Sequence, residues 1–507
     1  MSSARDRLEF LSASNRPPSP QESSVAGEFL QLCDQKLKVV DTRIVALERE
    51  LEELKAQRSI IEGERHRYAD ILSARRLLPP EIIGRFMELA CLDDTESSHS
   101  LGAYQQVSSF ILVSREWYQT ACGLAHFWSE LSMDLTNSSV QATQEMIVKA
   151  GNRSARAAEL PITLTIAFPA ATSSIAQIVD FIHSLMSRLG VLDLCVLVDT
   201  RSDLQLLDSL FRPPPSTNNL VWPMLHTLRI MIESEGKITA GSELSFPSVN
   251  FPLLRKAAMS SPNVKFASYQ MPWFNLMRLN LGPLSELEPQ KYVSILGACT
   301  NLRSLRLCTQ RQTNIPGINT LVITLPHLTH LHVESSDSYD LGRFLPSLNL
   351  PSLQSCIYTV ANPGSYSTSI VRRLTDLIQR SGCSESMEYL ELDLSRGTFY
   401  NSGTLKDLFL EVPRLNVLKL SGYKMDFDAL QGVPLTVREL SIKLIYYRID
   451  HARNAFVDHL NSRFAASSDV PVKARLQLVD TVHTFTLQKR LDSLKEKVGS
   501  SLDVVMD

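Results

Sequence analysis

A short apolar pattern recurs through the second half of the chain. The pattern Leu-x-x-Leu-x-Leu, with other residues at some positions, is found nine times between Leu225 and Ile442, and two copies are degenerate. The copies begin at Leu225, Leu254, Leu276, Leu302, Leu328, Leu353, Met387, Leu415 and Val437. In most copies the last two apolar residues alternate with polar residues, as in a β-strand with one buried face. The pattern therefore predicts one strand per copy.

The stretches between copies return the chain to the start of the next strand. Residues 369–381 and 403–410 have helical patterns, and proline precedes five copies at positions that would end a helix. These prolines are Pro223, Pro252, Pro326, Pro351 and Pro413. Successive copies are 22 to 34 residues apart, in or near the range of leucine-rich repeats. We therefore expect a leucine-rich-repeat-like solenoid over 136–450, with a parallel sheet on its concave side and a core shared between stacked copies.

Both ends of this array have patterns of their own. Residues 162–168 and 191–199 are predicted strands at its N-terminal edge. Residues 451–507 contain a helical pattern, a strand-like segment at 474–479 and a polar helical pattern at 487–498. Because the end of a repeat array must shield its core, we expect 451–507 to be a C-terminal cap.

Side chains that flank the buried leucines should project from the concave face of the sheet. Thr227 is expected on this face, and the residues predicted to bind a partner are Arg229, Arg278, Asn280, Arg306, His330, His332, Tyr389, Glu391 and Asp393. The early copies are basic and the later ones acidic, which favours a graded groove for a protein or peptide partner. The alternative is a solvated sheet face on which each charge contributes little.

The N-terminal part of the chain has a second apolar period. Residues 1–25 are rich in serine, proline and arginine and are predicted to be a disordered tail. Over 26–73, apolar residues occupy the a and d positions of a coiled-coil heptad until the a series breaks at Arg58 and Arg65. These positions are Leu30, Leu37, Ile44 and Leu51 (a), and Cys33, Val40, Leu47, Leu54, Ile61 and Tyr68 (d). Two interpretations stay open, a homodimer through residues 30–54 or one amphipathic helix that packs on its own chain.

Between these regions, residues 77–133 predict three short helical pieces. Pro80 and Glu81 are typical of a helix start, because proline fits the first turn and an early carboxylate favours the positive end of the helix dipole. Apolar residues then recur at helical spacing at Ile82, Ile83, Phe86, Met87 and Ala90, followed by a stripe around Trp117 and a cluster around Trp128. A unit this small needs neighbours or a partner for stability.

The motifs Leu78-Pro79-Pro80-Glu81-Ile82-Ile83, Phe86-Met87, Val113-Ser114-Arg115-Glu116-Trp117 and Phe127-Trp128-Ser129-Glu130-Leu131 resemble the F-box-like domain of mushroom-forming fungi. The resemblance implies an all-α module at 74–135 that binds a Skp-type adaptor and, through it, a cullin complex. The residues it implies for adaptor binding are Leu78, Pro79, Pro80, Ile82, Ile83, Phe86, Met87, Val113, Trp117 and Trp128. Two features depart from the family pattern, namely Ser114 in place of the frequent cysteine and a polar insertion at 92–106. The alternative is that these residues belong to an ordinary helical core.

Composition further narrows the range of possible functions. The net charge of −3 gives no global reason to expect nucleic acid or an anionic membrane. The eight scattered cysteines suit a reduced compartment, and the absence of an apolar leader or membrane-length apolar run favours a cytoplasmic or nuclear protein. His327, His330, His332 and Glu334 suggest a metal site, but two histidines on one strand are more typical of a surface. No phosphate-binding, dinucleotide-binding or hydrolase motif occurs, so we expect no cofactor, no metal and no catalytic residue.

Together the patterns predict an α/β protein with a coiled-coil helix, an F-box-like module and a leucine-rich-repeat solenoid. The resemblance implies that it is not an enzyme but the substrate receptor of a ubiquitin ligase of the Skp–cullin–F-box type, with the adaptor on the module and a protein substrate on the concave sheet. One alternative is an adaptor-independent scaffold that dimerises through the N-terminal helix. Another is an enzyme whose site is assembled from solenoid loops and has no sequence motif.

Overall fold

A computed structural model gives an α/β fold, as predicted, and divides the chain into two compact units, Met1–Leu89 and Ala90–Asp507. The longer described stretches are 16–72, 78–92, 109–169, 175–198, 221–233, 251–261, 271–284, 289–309, 322–335, 345–360, 367–399, 402–425 and 427–444. Shorter described pieces are 9, 12–13, 210–211, 243–246, 265–269, 458–459, 472–478 and 502–506. Residues 93–106 of the polar insertion at 92–106, and the predicted helix at 487–498, lie outside the described residues.

The first unit contains the 52-residue helix α1, Pro20–Ile71. Its start follows from a capping box, in which the Glu22 amide donates to Ser19 Oγ at 3.3 Å and the Ser19 amide donates to Glu22 Oε2 at 2.9 Å. Pro20 occupies the first helical position, where its missing N–H costs nothing. The helix therefore begins inside the segment predicted to be a disordered tail (1–25), because local capping outweighs the polar composition there.

Helix α2 runs across the division between the units and is followed by six further helices in the described part of the second unit. α2 begins at Pro80 with Glu81 in its first turn, as predicted. The helices are α2 (Pro80–Leu92), α3 (Arg115–Gly123), α4 (Val140–Arg156), α5 (Ile175–Leu185), α6 (Pro289–Ala298), α7 (Ser367–Ser381) and α8 (Ser402–Leu410). Short 3₁₀ helices occupy Ala125–Trp128, Trp273–Asn275, Leu345–Ser347 and Phe427–Gly432. The helices predicted at 369–381 and 403–410 are confirmed as α7 and α8.

The second unit is built on a parallel sheet with fourteen strands among the described residues. The strands are β1 (Glu130–Asp134), β2 (Ile162–Pro169), β3 (Leu189–Leu197), β4 (Thr227–Glu233), β6 (Lys256–Ser261), β8 (Arg278–Leu284), β9 (Ser304–Thr309), β11 (His330–Ser335), β13 (Ser355–Val360), β14 (Tyr389–Phe399), β15 (Val417–Met425), β16 (Glu439–Leu444), β17 (Val472–Leu478) and β18 (Leu502–Met506). Two small parallel pairs join β5 (Glu243–Phe246) with β7 (Lys265–Tyr269), and β10 (Ile323–Thr324) with β12 (Leu348–Asn349). Each main strand lies beside the one that precedes it in the chain.

The nine apolar copies coincide with nine strands of this sheet. In every copy the strand begins two residues after the first position, as at Leu276 and Arg278 or Leu415 and Val417. All 27 residues at the three pattern positions are buried, with at most 4% of their surface exposed. The register places the middle residues of successive copies side by side, from Leu305 through Leu331 and Cys356 to Leu390. The predicted strand of each copy is therefore confirmed.

Backbone hydrogen bonds repeat with the same period. The residue before a strand uses its carbonyl to accept two consecutive amides of the next copy, so that Met277 O accepts from the Arg303 and Ser304 amides at 2.9 and 3.0 Å. The carbonyls that act in this way are His226, Arg255, Met277, Arg303, Thr329, Gln354, Glu388 and Asn416. This arrangement satisfies the polar backbone groups at the start of each strand without side-chain help.

The sheet is longer at both ends than the sequence predicted. β1 lies within the segment expected to be an all-α module (74–135), because the buried Leu131 and Met133 alternate with residues that are partly or fully exposed and pair with β2. β17 and β18 lie within the predicted cap (451–507) and continue the sheet in parallel. The expected N-terminal edge strands are confirmed as β2 and β3, and the strand-like segment at 474–479 begins two residues earlier, at Val472.

Candidate protein-binding surfaces

Helix α2 has one buried and one exposed apolar side. Ile83 and Met87 are fully buried, whereas Ile82, Phe86 and Leu89 are 53%, 56% and 51% exposed. The exposed three stand at i, i+4 and i+7 and therefore share one face of the helix. Leu89 was not among the predicted adaptor-binding residues, although its spacing from Ile82 and Phe86 is the signal that identifies it.

The remaining predicted adaptor-binding residues differ in exposure. Pro79, Pro80 and Val113 are exposed, and Leu78 and Trp117 are half-buried. Ile83, Met87 and Trp128 are buried and have no surface to offer a partner. Their apolar side chains are already removed from water within the chain, and their role in adaptor binding stays a prediction.

Helix α3 and the turns around it are organised by Ser114 and two tryptophans. Ser114 is the N-cap of α3, since its Oγ accepts from the Trp117 amide at 3.3 Å, a role that suits serine at this position. The Trp117 ring lies 5.9 Å from that of Phe110. Trp128 Nε1 donates to Ala121 O at 2.9 Å, and the Arg156 guanidinium lies 4.7 Å above its ring. These contacts make Trp128 the structural centre of this segment.

The predicted partner-binding residues of the sheet lie on the face opposite the leucine rows, which we call the polar face. The first row of this face, in strand order, is Arg278, Ser304, His330, Ser355, Tyr389, Val417 and Glu439. The second row is Asn280, Arg306, His332, Ile357, Glu391, Lys419 and Ser441. The third row is Cys308, Glu334, Thr359, Asp393, Ser421 and Lys443. The register of β4, β6 and β8 adds Arg229 to the second row through Ala258, so all nine predicted residues, from Arg229 to Asp393, lie on one continuous surface.

An ion-paired cluster occupies the middle of the polar face. Arg306 Nη2 donates to Glu334 Oε1 at 2.6 Å, and His332 Nε2 lies 3.1 Å from the same oxygen. Partial burial lowers the pKa of His332, and the Arg306 charge acts in the same direction against the opposing effect of Glu334. The lowered pKa favours the neutral imidazole, and Arg306 supplies the permanent positive charge of the cluster.

A second cluster lies two strands further along. The Tyr389 hydroxyl donates to the Glu391 carboxylate, and Lys419 Nζ lies 5.3 Å from the Tyr389 ring centroid and 4.0 Å from Glu439 Oε1. Partial burial raises the pKa of Tyr389, and the hydrogen bond to Glu391 adds to that effect. Lysine, tyrosine and two carboxylates thus form one network that spans β14 to β16.

The early part of the face differs from the prediction in the exposure of one residue. Thr227, expected on this face, is buried and its Oγ1 lies 3.0 Å from His226 Nδ1. Arg229 projects as predicted but pairs with Asp193 of β3 at 3.3 Å. Asp193 lies before the first copy and Lys419 and Lys443 lie in the last two, so both ends of the face carry acidic and basic residues, and the change from basic to acidic copies stays a prediction.

Strand β13 supplies face residues that the sequence analysis did not select. Ser355, Ile357 and Thr359 lie between the histidines of β11 and the acidic residues of β14. Their copy is the degenerate one that begins at Leu353, and the same alternation that located its strand could have located them. Ile357 places an apolar patch between the two charged clusters.

Several observations bear on catalysis and on relatives. Burial raises the pKa of Cys299 and Cys356 to about 12 and that of Cys195 to about 11, so these thiols are poor nucleophiles at neutral pH. Within the described ranges, no group of three or more His, Cys, Asp or Glu side chains is arranged to hold a metal ion. No helix in this part of the chain is long and apolar enough to cross a bilayer. No protein-family model matches the chain, and no curated protein matches it.

Proposed function

We propose that this chain is the substrate receptor of a ubiquitin ligase of the Skp–cullin–F-box type, acting in the cytoplasm or nucleus. In this proposal an F-box-like segment binds the adaptor, and a leucine-rich-repeat solenoid binds a protein substrate. The observation that carries the proposal is the pairing of two unlike surfaces, an exposed apolar side of α2 within the motif Leu78–Met87 and an ordered polar face on a repeat sheet.

The repeat sheet supports the solenoid part of the proposal. Among the described residues, fourteen strands in chain order, all parallel, are what stacked copies of one strand-and-return unit produce. The carbonyl of the residue before a strand accepts two consecutive amides of the next copy, and this contact joins successive copies in the same way. A surface built from many equivalent strands offers side chains at fixed spacing, which suits an extended protein partner more than a small molecule.

The polar face supports recognition of a partner that carries both charges. Its two clusters are partly exposed, and each contains a positive group (Arg306 or Lys419) beside a carboxylate. Ile357 adds apolar area between them, as at the centre of many protein interfaces. A substrate segment with an apolar residue flanked by acidic and basic residues fits this arrangement.

The apolar side of α2 supports adaptor binding. Ile82, Phe86 and Leu89 form a helix face of the kind that packs into an apolar groove of a partner. As a receptor, the chain would contribute proximity and not chemistry, because it raises the effective concentration of substrate lysines near the transferring enzyme.

Co-purification tests the adaptor step. The full-length chain is co-expressed with a tagged Skp-type adaptor, and the amount retained is compared between wild type, Ile82→Asp and Leu89→Asp. A charge placed in an apolar contact should reduce retention about tenfold or more. Val148→Asp on α4 is the matched control, since Val148 is also an exposed apolar helix residue.

Two outcomes decide the adaptor step. Retention of wild type and Val148→Asp, with loss of Ile82→Asp and Leu89→Asp, supports the receptor. Failure of wild type to retain the adaptor refutes it and favours the adaptor-independent scaffold. Lys443→Glu on the polar face should leave adaptor retention unchanged, so substrate and adaptor effects are separable.

A further inference from the structure

Helix α1 carries an apolar seam that is exposed along its length. The a and d residues from Leu30 to Leu54 are 46% to 64% exposed, and Cys33 among them is also exposed. Four a residues and four d residues follow one another without a polar interruption over this stretch. Such a seam is stable in water when a second helix covers it.

The charges beside the seam identify the second helix. In a parallel two-stranded coiled coil, a g residue faces the e residue five positions later on the partner helix. The g residues Lys36, Arg43 and Glu50 would then face Asp41, Glu48 and Lys55 of the second copy. All three pairs, and their three symmetry equivalents, join opposite charges.

We infer that two copies of this chain associate through a parallel, in-register coiled coil over residues 30–54 of α1. The partner is a second copy of the chain, because the g and e residues of this helix complement each other. The inference does not depend on adaptor binding, and it chooses between the two interpretations of the heptad pattern. A dimer would present two polar faces at once and increase the avidity for a repetitive partner.

Other alignments of the same two helices bring like charges together. A shift by one heptad pairs Arg43 with Lys55 and Glu50 with Glu62 on one side of the seam, and Glu50 with Glu48 on the other side. An antiparallel seam centred on residues 30–54 places e residues against e residues, so that Asp41 faces Asp41 or Glu48. The in-register parallel arrangement is the one in which all three pairs attract.

Ion pairs within one α1 helix compete little with the proposed g–e pairs between two helices. Lys36, Asp41, Arg43 and Glu48 make no ion pair within the described part of the chain. Lys55 pairs with Glu52 at 2.8 Å, but both side chains are mostly exposed, and such a pair contributes little. Beyond Leu54 the a positions become Arg58 and Arg65, so the seam should weaken there.

Complementary charge variants test the pairing in the full-length chain. The first variant, Lys36→Glu/Arg43→Glu/Glu50→Lys, reverses the g residues, and the second, Asp41→Lys/Glu48→Lys/Lys55→Glu, reverses the e residues. Either variant alone makes all six pairs repulsive, whereas a mixture of the two makes all six attractive. Sedimentation velocity should give a dimer for wild type, an increase of about tenfold or more in the dissociation constant for each variant alone, and a heterodimer for the mixture.

Cys33 tests the orientation. At a d position in register it faces its own equivalent, within disulfide range, whereas in the antiparallel seam the two cysteines lie about 27 Å apart along the axis. Mild oxidation should therefore yield a covalent dimer that Cys33→Ser abolishes. A monomeric wild type, charge variants that remain dimers, or a dimer that Cys33 does not cross-link would each overturn the inference, and circular dichroism shows whether the variants keep α1 helical.

Discussion

Leucines at regular spacing occur in two regions of the molecule, and they are buried in one region and exposed in the other. In the sheet they recur once per copy and are buried by the neighbouring copies, as Leu390 is between Cys356 and Leu418. In α1 they recur every seven residues and stay exposed. A repeat that stacks on itself covers its own apolar side, whereas a single helix needs another one. The same composition therefore builds a core in one region and an interface in the other.

The largest expected effect comes from shortening one leucine in each region. Leu390→Ala leaves a cavity in the sheet and should lower its free energy of unfolding by about 3 kcal/mol. Leu37→Ala should leave the stability of the sheet unchanged and weaken only self-association, because alanine is itself a strong helix former. Urea unfolding followed by tryptophan fluorescence measures the first effect, since all four tryptophans lie in the unit Ala90–Asp507.

Leu410→Ala is the control for this comparison. Leu410 ends α8 and is exposed, so its shortening should change the urea midpoint little. A sheet that tolerates Leu390→Ala as well as Leu410→Ala would contradict the assignment of the leucine rows as its core.

The leucine rows could be predicted because their signal is local and repeated. A residue such as Leu305 is marked by its own neighbours and by eight other copies, and the strand starts followed directly. The ends of the sheet were harder to predict. β1 has five residues and no copy of the pattern, and its strand conformation depends on pairing with β2, which local sequence does not encode.

The sequence predicted which residues lie on the polar face but not how their charges pair. Alternation places Arg306 and Glu334 on one surface, but their ion pair depends on the register between β9 and β11. Asp193 was missed as the partner of Arg229 because 36 residues separate them in the chain. Burial within α2 was likewise not readable from the motif, because Ile82 and Ile83 are equally apolar and only one of them is buried.

A smaller effect is expected from pH, and it concerns the polar face. The leucines that form the seam of α1 do not titrate, so the seam has no comparable effect. The pKa of His332 is lowered in the folded state, chiefly by burial, so the unfolded state binds a proton more readily as the pH falls. The contribution of neutral His332 to stability is therefore present above the unfolded pKa of 6.5 and is lost as the pH falls toward the lower folded value. His332→Gln should flatten the decline of the urea midpoint between about pH 7 and pH 5. An unchanged decline would mean that other groups cause it, and His327→Gln, at an exposed position, is the control.

The smallest effect, and the one with the most informative sign, is expected at Tyr358. This residue takes the place of leucine in a degenerate copy and lies between Val333 and Leu392, with a buried hydroxyl that has no hydrogen-bond partner among the described residues. Burial without a partner disfavours the hydroxyl, so Tyr358→Phe should raise the free energy of unfolding by up to about 1 kcal/mol. Tyr389→Phe removes a hydroxyl that donates to Glu391 and should lower it by a similar amount. Opposite signs in urea unfolding would separate the apolar interior of the sheet from its polar face, whereas a loss at both positions would show that Tyr358 has a polar partner and that the leucine row is not purely apolar there.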